Sequence, residues 1–227
     1  MVTVLTEEEQ IRYLIRQLES FFPDGRSLEN VAPVVRRALE RVEVCFRSIN
    51  LPGYSREGTA CFNYLHTDQY AAFLYLASNT AWKDFEDVTL ASKLFALNKA
   101  LNGIVCMYDT ILPDIFLLMH TVGIVLGKAD YSNYLVVAQN VTVGTDRGCR
   151  PTLREGVVLF GGSCIVGNTI LHNDVSVSAN SFVSHETIPA HSVVAGRSPS
   201  LTIKPARRTL ADVYFRRSAP GDVSERE

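Results

Sequence analysis

Residues 117–127, LLMHTVGIVLG, set one titratable side chain, His120, inside an otherwise apolar run. Burying an imidazole there is costly unless a neighbour satisfies it or a reaction uses it. Its ordinary pKa lies near neutrality, so it suits general-base removal of a proton from a weak nucleophile such as an alcohol. The other reading is a core histidine that has found a hydrogen-bond partner. The stretch by itself leaves both open, and the elements around it must decide.

The chain has 227 residues, enough for one large domain or two small ones. Its 22 basic and 24 acidic residues give no field that would recruit nucleic acid or an anionic membrane. The opening MVTVLTEEEQ is acidic, lacking the basic-then-apolar order of a signal peptide. No apolar run is long enough to span a bilayer. Cys45, Cys61, Cys106, Cys149 and Cys164 are odd in number and show no CxxC spacing. Reduced thiols in a cytoplasmic protein are expected.

The first 110 residues read as an all-helical domain of four or five helices. Thr6 with Glu9 has capping-box spacing, and Ile11, Leu14, Ile15 and Leu18 follow at helical period until FFPDG. A second helix is expected from Ser27, with Val31, Val35, Ala38, Leu39, Val42 and Phe46 on its apolar face. Further helices are read around DQYAAFLYLASNTAW and ASKLFALNKALNGIVCMY.

Over 111–205 a period of six takes over. Leu153, Leu159, Ile165, Leu171, Val177 and Val183 form one aliphatic phase, extended upstream through Ala129, Leu135 and Val141 and broken at Arg147. Three residues after each aliphatic come Gly156, Gly162, Asn168, Asp174, Asn180 and Glu186, most of them tolerant of a left-handed backbone. Short strands joined by tight corners at this interval describe a hexapeptide-repeat parallel β-helix. A sandwich of short strands would not keep one phase through six hexads. Counted in this register His120 falls at a corner, outside the inward phase. The last segment, 206–227, reads as a basic then polar tail whose final ten residues are expected to be disordered.

The stretches HTVGIVLGKADYSNYLVVAQNVTVG, DRGCRPTLREGVVLFGGSCIVGN and IPAHSVVAGRSP resemble serine acetyltransferases. The likeness covers roughly residues 113 to 199; the helical half agrees in type and order more than in motif. It implies an α-helical domain followed by a left-handed parallel β-helix. It further implies an acetyl-CoA-dependent O-acetyltransferase without a metal, acting by direct transfer between β-helices of a homotrimer or of a hexamer built from two trimers. His120 matches the histidine that deprotonates the acceptor hydroxyl. A base histidine needs a carboxylate to orient it, and Asp109 and Asp114 precede it; Asp114, in the same hexad phase, is preferred.

The resemblance assigns the CoA arm to the LFGGS coil through Gly161, Gly162 and Ser163, to Ala179 and Ser181 one coil later, and its phosphates to Arg197 and Lys204. Glycine corner geometry alone would also explain the first two. The segment TDRGCRPTL is about four residues shorter than in that family, and Arg150 stands where a second histidine is expected. Arg150 is read as a substrate contact for a carboxylate or phosphate, in a corner facing the His120 cleft. His66 is read as a helix-boundary residue, His172 and His185 as exposed, and His191 as a turn residue; no set has zinc-ligand spacing. The family's enzymes dock on cysteine synthase through a tail ending in isoleucine, which Glu227 does not match. Serine or a serine-like molecule is the expected acceptor. A sugar or nucleotide sugar is the alternative, and a non-catalytic trimeric scaffold a third reading from a different class.

Overall fold

The computed structural model describes residues 1–217; the expected disorder of the last ten residues lies outside them. Four helices build the first half: α1 (Glu7–Phe21), α2 (Val31–Arg47), α3 (Thr67–Phe85) and α4 (Val88–Asn102). At the start of α1 the Glu9 amide donates to Thr6 Oγ1 and the Thr6 amide to the Glu9 carboxylate, the expected reciprocal cap. The Thr6 amide, with the Thr6 hydroxyl beside it, holds the Glu9 carboxyl below its usual range. Helix α2 begins at Val31 and not at Ser27, because the Ser27 hydroxyl accepts the Glu29 amide in a local turn. Pro33 then falls in the first turn, where no intrahelical donor is lost. His66 caps α3 through Nδ1, as its boundary position suggested. The helical half also holds a three-stranded sheet of Val2–Thr3, Thr59–Phe62 and Ser55–Arg56, which periodicity did not reveal because its strands are so short.

The second half is a parallel β-helix following the helices, as expected. Its strands stack in three columns. One holds Val105–Cys106, Val125–Leu126, Thr142–Gly144, Cys164–Val166 and Phe182–Ser184. A second holds Phe116–Leu118, Leu135–Val137, Val158–Leu159, Ser176–Val177 and the middle of Ser192–Arg197. The third runs through Asp130–Tyr131, Thr152–Leu153, Ile170–Leu171 and Thr187–Ile188. Leu153, Leu159, Ile165, Leu171, Val177 and Val183 have no exposed surface, as the hexad pattern requires.

Upstream of the break the phase needs correction. Leu159 pairs with Val137, Ile165 with Val143 and Leu153 with Tyr131, so Tyr131, Val137 and Val143 continue those rows, not Ala129, Leu135 and Val141. Leu135 and Val141 are buried too, but in the rows of Val157 and Ser163. The cause is the segment 145–151, seven residues joining two columns that 167–169 joins with three in the next coil. The left-handed corners fall at Gly156, Gly162, Asp174 and Asn180 as expected, but at Gly167 and His185 in place of Asn168 and Glu186.

The two halves share buried contacts. Tyr75 of α3 donates its hydroxyl to the Thr110 carbonyl at 2.7 Å and accepts the Leu112 amide at 2.9 Å. Its ring meets Phe116 edge-on at 5.9 Å. The Cys45 thiol donates to the Phe116 carbonyl, and burial pushes that thiol up to about 12, which keeps it an unreactive core group. All five cysteines are free thiols. After the solenoid, Ser200–Pro205 folds back antiparallel on Ser192–Arg197, and α5 (Ala211–Tyr214) leads to Phe215, which bridges to Ile49. No helix among the described residues is long and apolar enough to cross a membrane. Ile165→Ala should cost about 2–5 kcal/mol of stability in urea unfolding, the expectation for a fully buried aliphatic that cannot be refilled.

Candidate functional site

His120 lies in the turn that carries the chain from Phe116–Leu118 to Val125–Leu126. One coil later the same crossing is made by 138–141, four residues; here it takes six, 119–124. The regular corner of this column is marked by a coil-to-coil ladder. Asn180 donates to the Gly161 carbonyl, Gly162 to Gln139 and Asn140 to Val122. By that ladder Gly123, not His120, is the corner equivalent to Asn140, Gly162 and Asn180. His120 is part of the two-residue surplus and is itself left-handed, φ 53°. It is exposed, so the core-histidine reading does not hold.

The surplus turn forms one lip of a groove of about 490 Å³ that runs along the corner across successive coils. Met119, His120, Gln139, Phe160, Gly161, Gly162 and Ala179 are among the residues lining it. A Cβ on Gly161 would meet the Gln139 amide at 2.7 Å, and one on Gly162 would run into the Asn180 side chain. These two glycines therefore let the Gln139 and Asn180 side chains pack directly on the coil, and they put no side chain of their own into the groove. Ser163 and Ser181, grouped with them by sequence, are buried beneath that floor and do not line it. Arg197 stacks over Phe182 at 5.2 Å, and Lys204 is exposed on the hairpin strand Ser200–Pro205; both stand apart from the residues lining the groove.

Asp114 is not brought to His120. It faces Arg37, Glu40, Arg41 and Leu76 in a separate groove of about 210 Å³ between the helices and the first coil. Asp109 pairs with Lys128 at 2.7 Å. The carboxylate nearest in bonding terms was missed: Asp68, in the first turn of α3, accepts the backbone amides of His120 at 2.9 Å and Thr121 at 3.3 Å. The pairing joins residues far apart in sequence and leaves no local signature. Gln139 was missed as a groove residue although it sits inside the Gln-Asn-Val-Thr motif.

Arg150 lies at the other end of the Thr142–Gly144 strand from the groove corner, so one chain does not bring it to His120. It belongs to the 145–151 excursion, a tight hairpin in which Asp146 and Cys149 exchange backbone bonds and Arg147 and Gly148 are both left-handed. Two side-chain contacts pin that loop. Arg150 meets Asp130 at 3.0 Å, and His185 Nε2 meets Asp146 Oδ2 at 2.8 Å. His185 Nδ1 accepts the Asn168 amide, so in the neutral ring Nε2 carries the proton and donates it to Asp146. That donation is the main reason the Asp146 carboxyl sits below its ordinary value of 3.8. A depressed carboxyl contributes above the unfolded pKa, and its contribution is lost as pH falls through the lowered one. His185→Ala should return the Asp146 midpoint toward the ordinary range in a carbon-detected NMR titration.

No family model matches the chain. Among curated proteins, the serine acetyltransferase of Staphylococcus xylosus is 28% identical over 111 residues, which is 47% of this chain and 50% of that protein. The chain thus spans about half the length of the curated relatives it matches. Among solved structures, the serine acetyltransferase of Vibrio cholerae superposes with a TM-score of 0.69 at 19% identity, covering 90% of this chain and 82% of the other. A serine acetyltransferase solved in complex with CoA gives 0.56 at 18% identity, over 85% of this chain and 75% of that one. This chain is similar to serine acetyltransferases in sequence over about half its length and in fold over both its halves.

Proposed function

We propose that the protein is an acetyl-CoA-dependent O-acetyltransferase acting on the hydroxyl of serine or a serine-like small molecule. The observation that carries this reading is the corner groove, where an exposed histidine at the lip adjoins a glycine floor. Gly161 and Gly162 line the groove and add no side chain of their own to it, which suits close approach of a pantetheine arm. Acetyl-CoA supplies the activated acyl group.

His120 takes the proton from the acceptor hydroxyl as that oxygen attacks the thioester carbonyl. The carbon–sulfur bond breaks, the acetyl group passes to the oxygen, and the proton is returned to the departing sulfur. Placed proton transfer of this kind is worth about 100- to 10,000-fold in rate. Arg150 enters from the equivalent loop of a neighbouring copy, because within one chain it stands at the far end of a β-helix face. Its guanidinium suits the carboxylate of a serine-like acceptor. The site is therefore assigned to the seam between copies, in a trimer or a pair of trimers in the cytoplasm. The mixed, nearly neutral charge balance offers no reason to add nucleic acid or membrane as partners.

Incubation with acetyl-CoA and a panel of serine, homoserine, amino sugars and nucleotide sugars, followed by free-thiol release, tests this reading. Release with serine or homoserine is expected. Release only with a sugar moves the acceptor to that class, and absence of both turnover and CoA binding by calorimetry removes the enzymatic reading. His120→Ala should lower kcat by about 100-fold or more while CoA affinity stays nearly unchanged.

A further inference from the structure

We propose that Asp68 is a positioning residue for the His120 base, so that the helical half of the molecule sets the geometry of a site built on the β-helix. The inference rests on His120 acting as the base. The turn 119–124 holds two residues more than the crossing above it, and those residues have no place in the coil-to-coil ladder. Asn140, Gly162 and Asn180 each donate to a carbonyl of the neighbouring coil; the amides of His120 and Thr121 donate instead to the two oxygens of one carboxylate, Asp68. A non-glycine residue at φ 53° persists only where its surroundings over-determine it, and here the paired bonds do so.

The post that carries this carboxylate is itself fixed. Gln69, next in the chain, is fully buried, accepts the Asn63 amide at 2.8 Å and donates to the Gly53 carbonyl at 2.9 Å. His66 closes the end of the helix. The first turn of α3 also favours a negative charge through the helix dipole. Asp68 touches the backbone and not the imidazole, so it leaves the ring free for the acceptor while fixing the residue that bears it. A displacement of about 1 Å at a reacting group is enough to cost on the order of 100-fold in rate.

Asp68→Ala and Asp68→Asn test the proposal by steady-state acetyl transfer and by amide hydrogen exchange. Asp68→Ala is expected to lower kcat by about 10- to 100-fold, with the KM for acetyl-CoA within about 2-fold. Asp68→Asn, which keeps one acceptor oxygen, should recover part of that loss. Exchange at the amides of residues 120 and 121 should quicken at least about tenfold in Asp68→Ala, since a carboxylate-bound amide exchanges only when the turn opens. Unchanged kcat, or unchanged exchange at those two amides, overturns the proposal. A wild-type protein that neither acetylates an acceptor nor binds CoA overturns the transferase reading; with no base to position, the proposal falls with it, even where the exchange data show the clamp itself.

Discussion

The constraint on which the rest depends is closure of each β-helix turn in three hexads. Parallel strands pair at one residue per rung, so every coil must offer the same number of residues to the columns, and any excess has to leave the ladder at a corner. Two excursions do so. The 145–151 segment adds four residues and emerges as a pinned hairpin; 119–124 adds two and presents His120. The repeat supplies rigidity, and the departures from it carry side chains for which the regular coil has no place.

The helical half takes its meaning from the same constraint. A solenoid open at its first coil exposes an apolar end, and the helices cover it through Tyr75 and Cys45, which meet Thr110 and Phe116 of the following chain. Because α3 is seated there, its first turn meets the surplus residues of the 119–124 turn. The contact that closes the core thus also supplies the acceptors that those two amides lack. The chain after the solenoid adds a second tie, with Phe215 against Ile49 and Tyr134.

How far the sequence could be read follows from what each feature depends on. Capping at Thr6 and burial of Leu153 through Val183 are local or strictly periodic, and both are legible. The phase before Arg147 is not, because a four-residue insertion shifts the register while aliphatics at Leu135 and Val141 still mimic the old one. Counting hexads back across that break placed His120 at a corner; the residue belongs at that edge, but as part of a longer turn whose regular corner is Gly123. Asp114 shares the hexad phase of His120, yet it faces Arg37 and Arg41. The carboxylate that reaches the turn comes from a helix fifty-two positions upstream, a relation that only the fold creates.

We propose that the chemistry resides in the corner groove beside the surplus turn. A crystal structure of the protein with CoA addresses it most directly. The pantetheine arm should lie over Gly161 and Gly162, with the sulfur at the Met119–His120 lip. A CoA molecule bound in order at any other surface, with the groove empty, would contradict it.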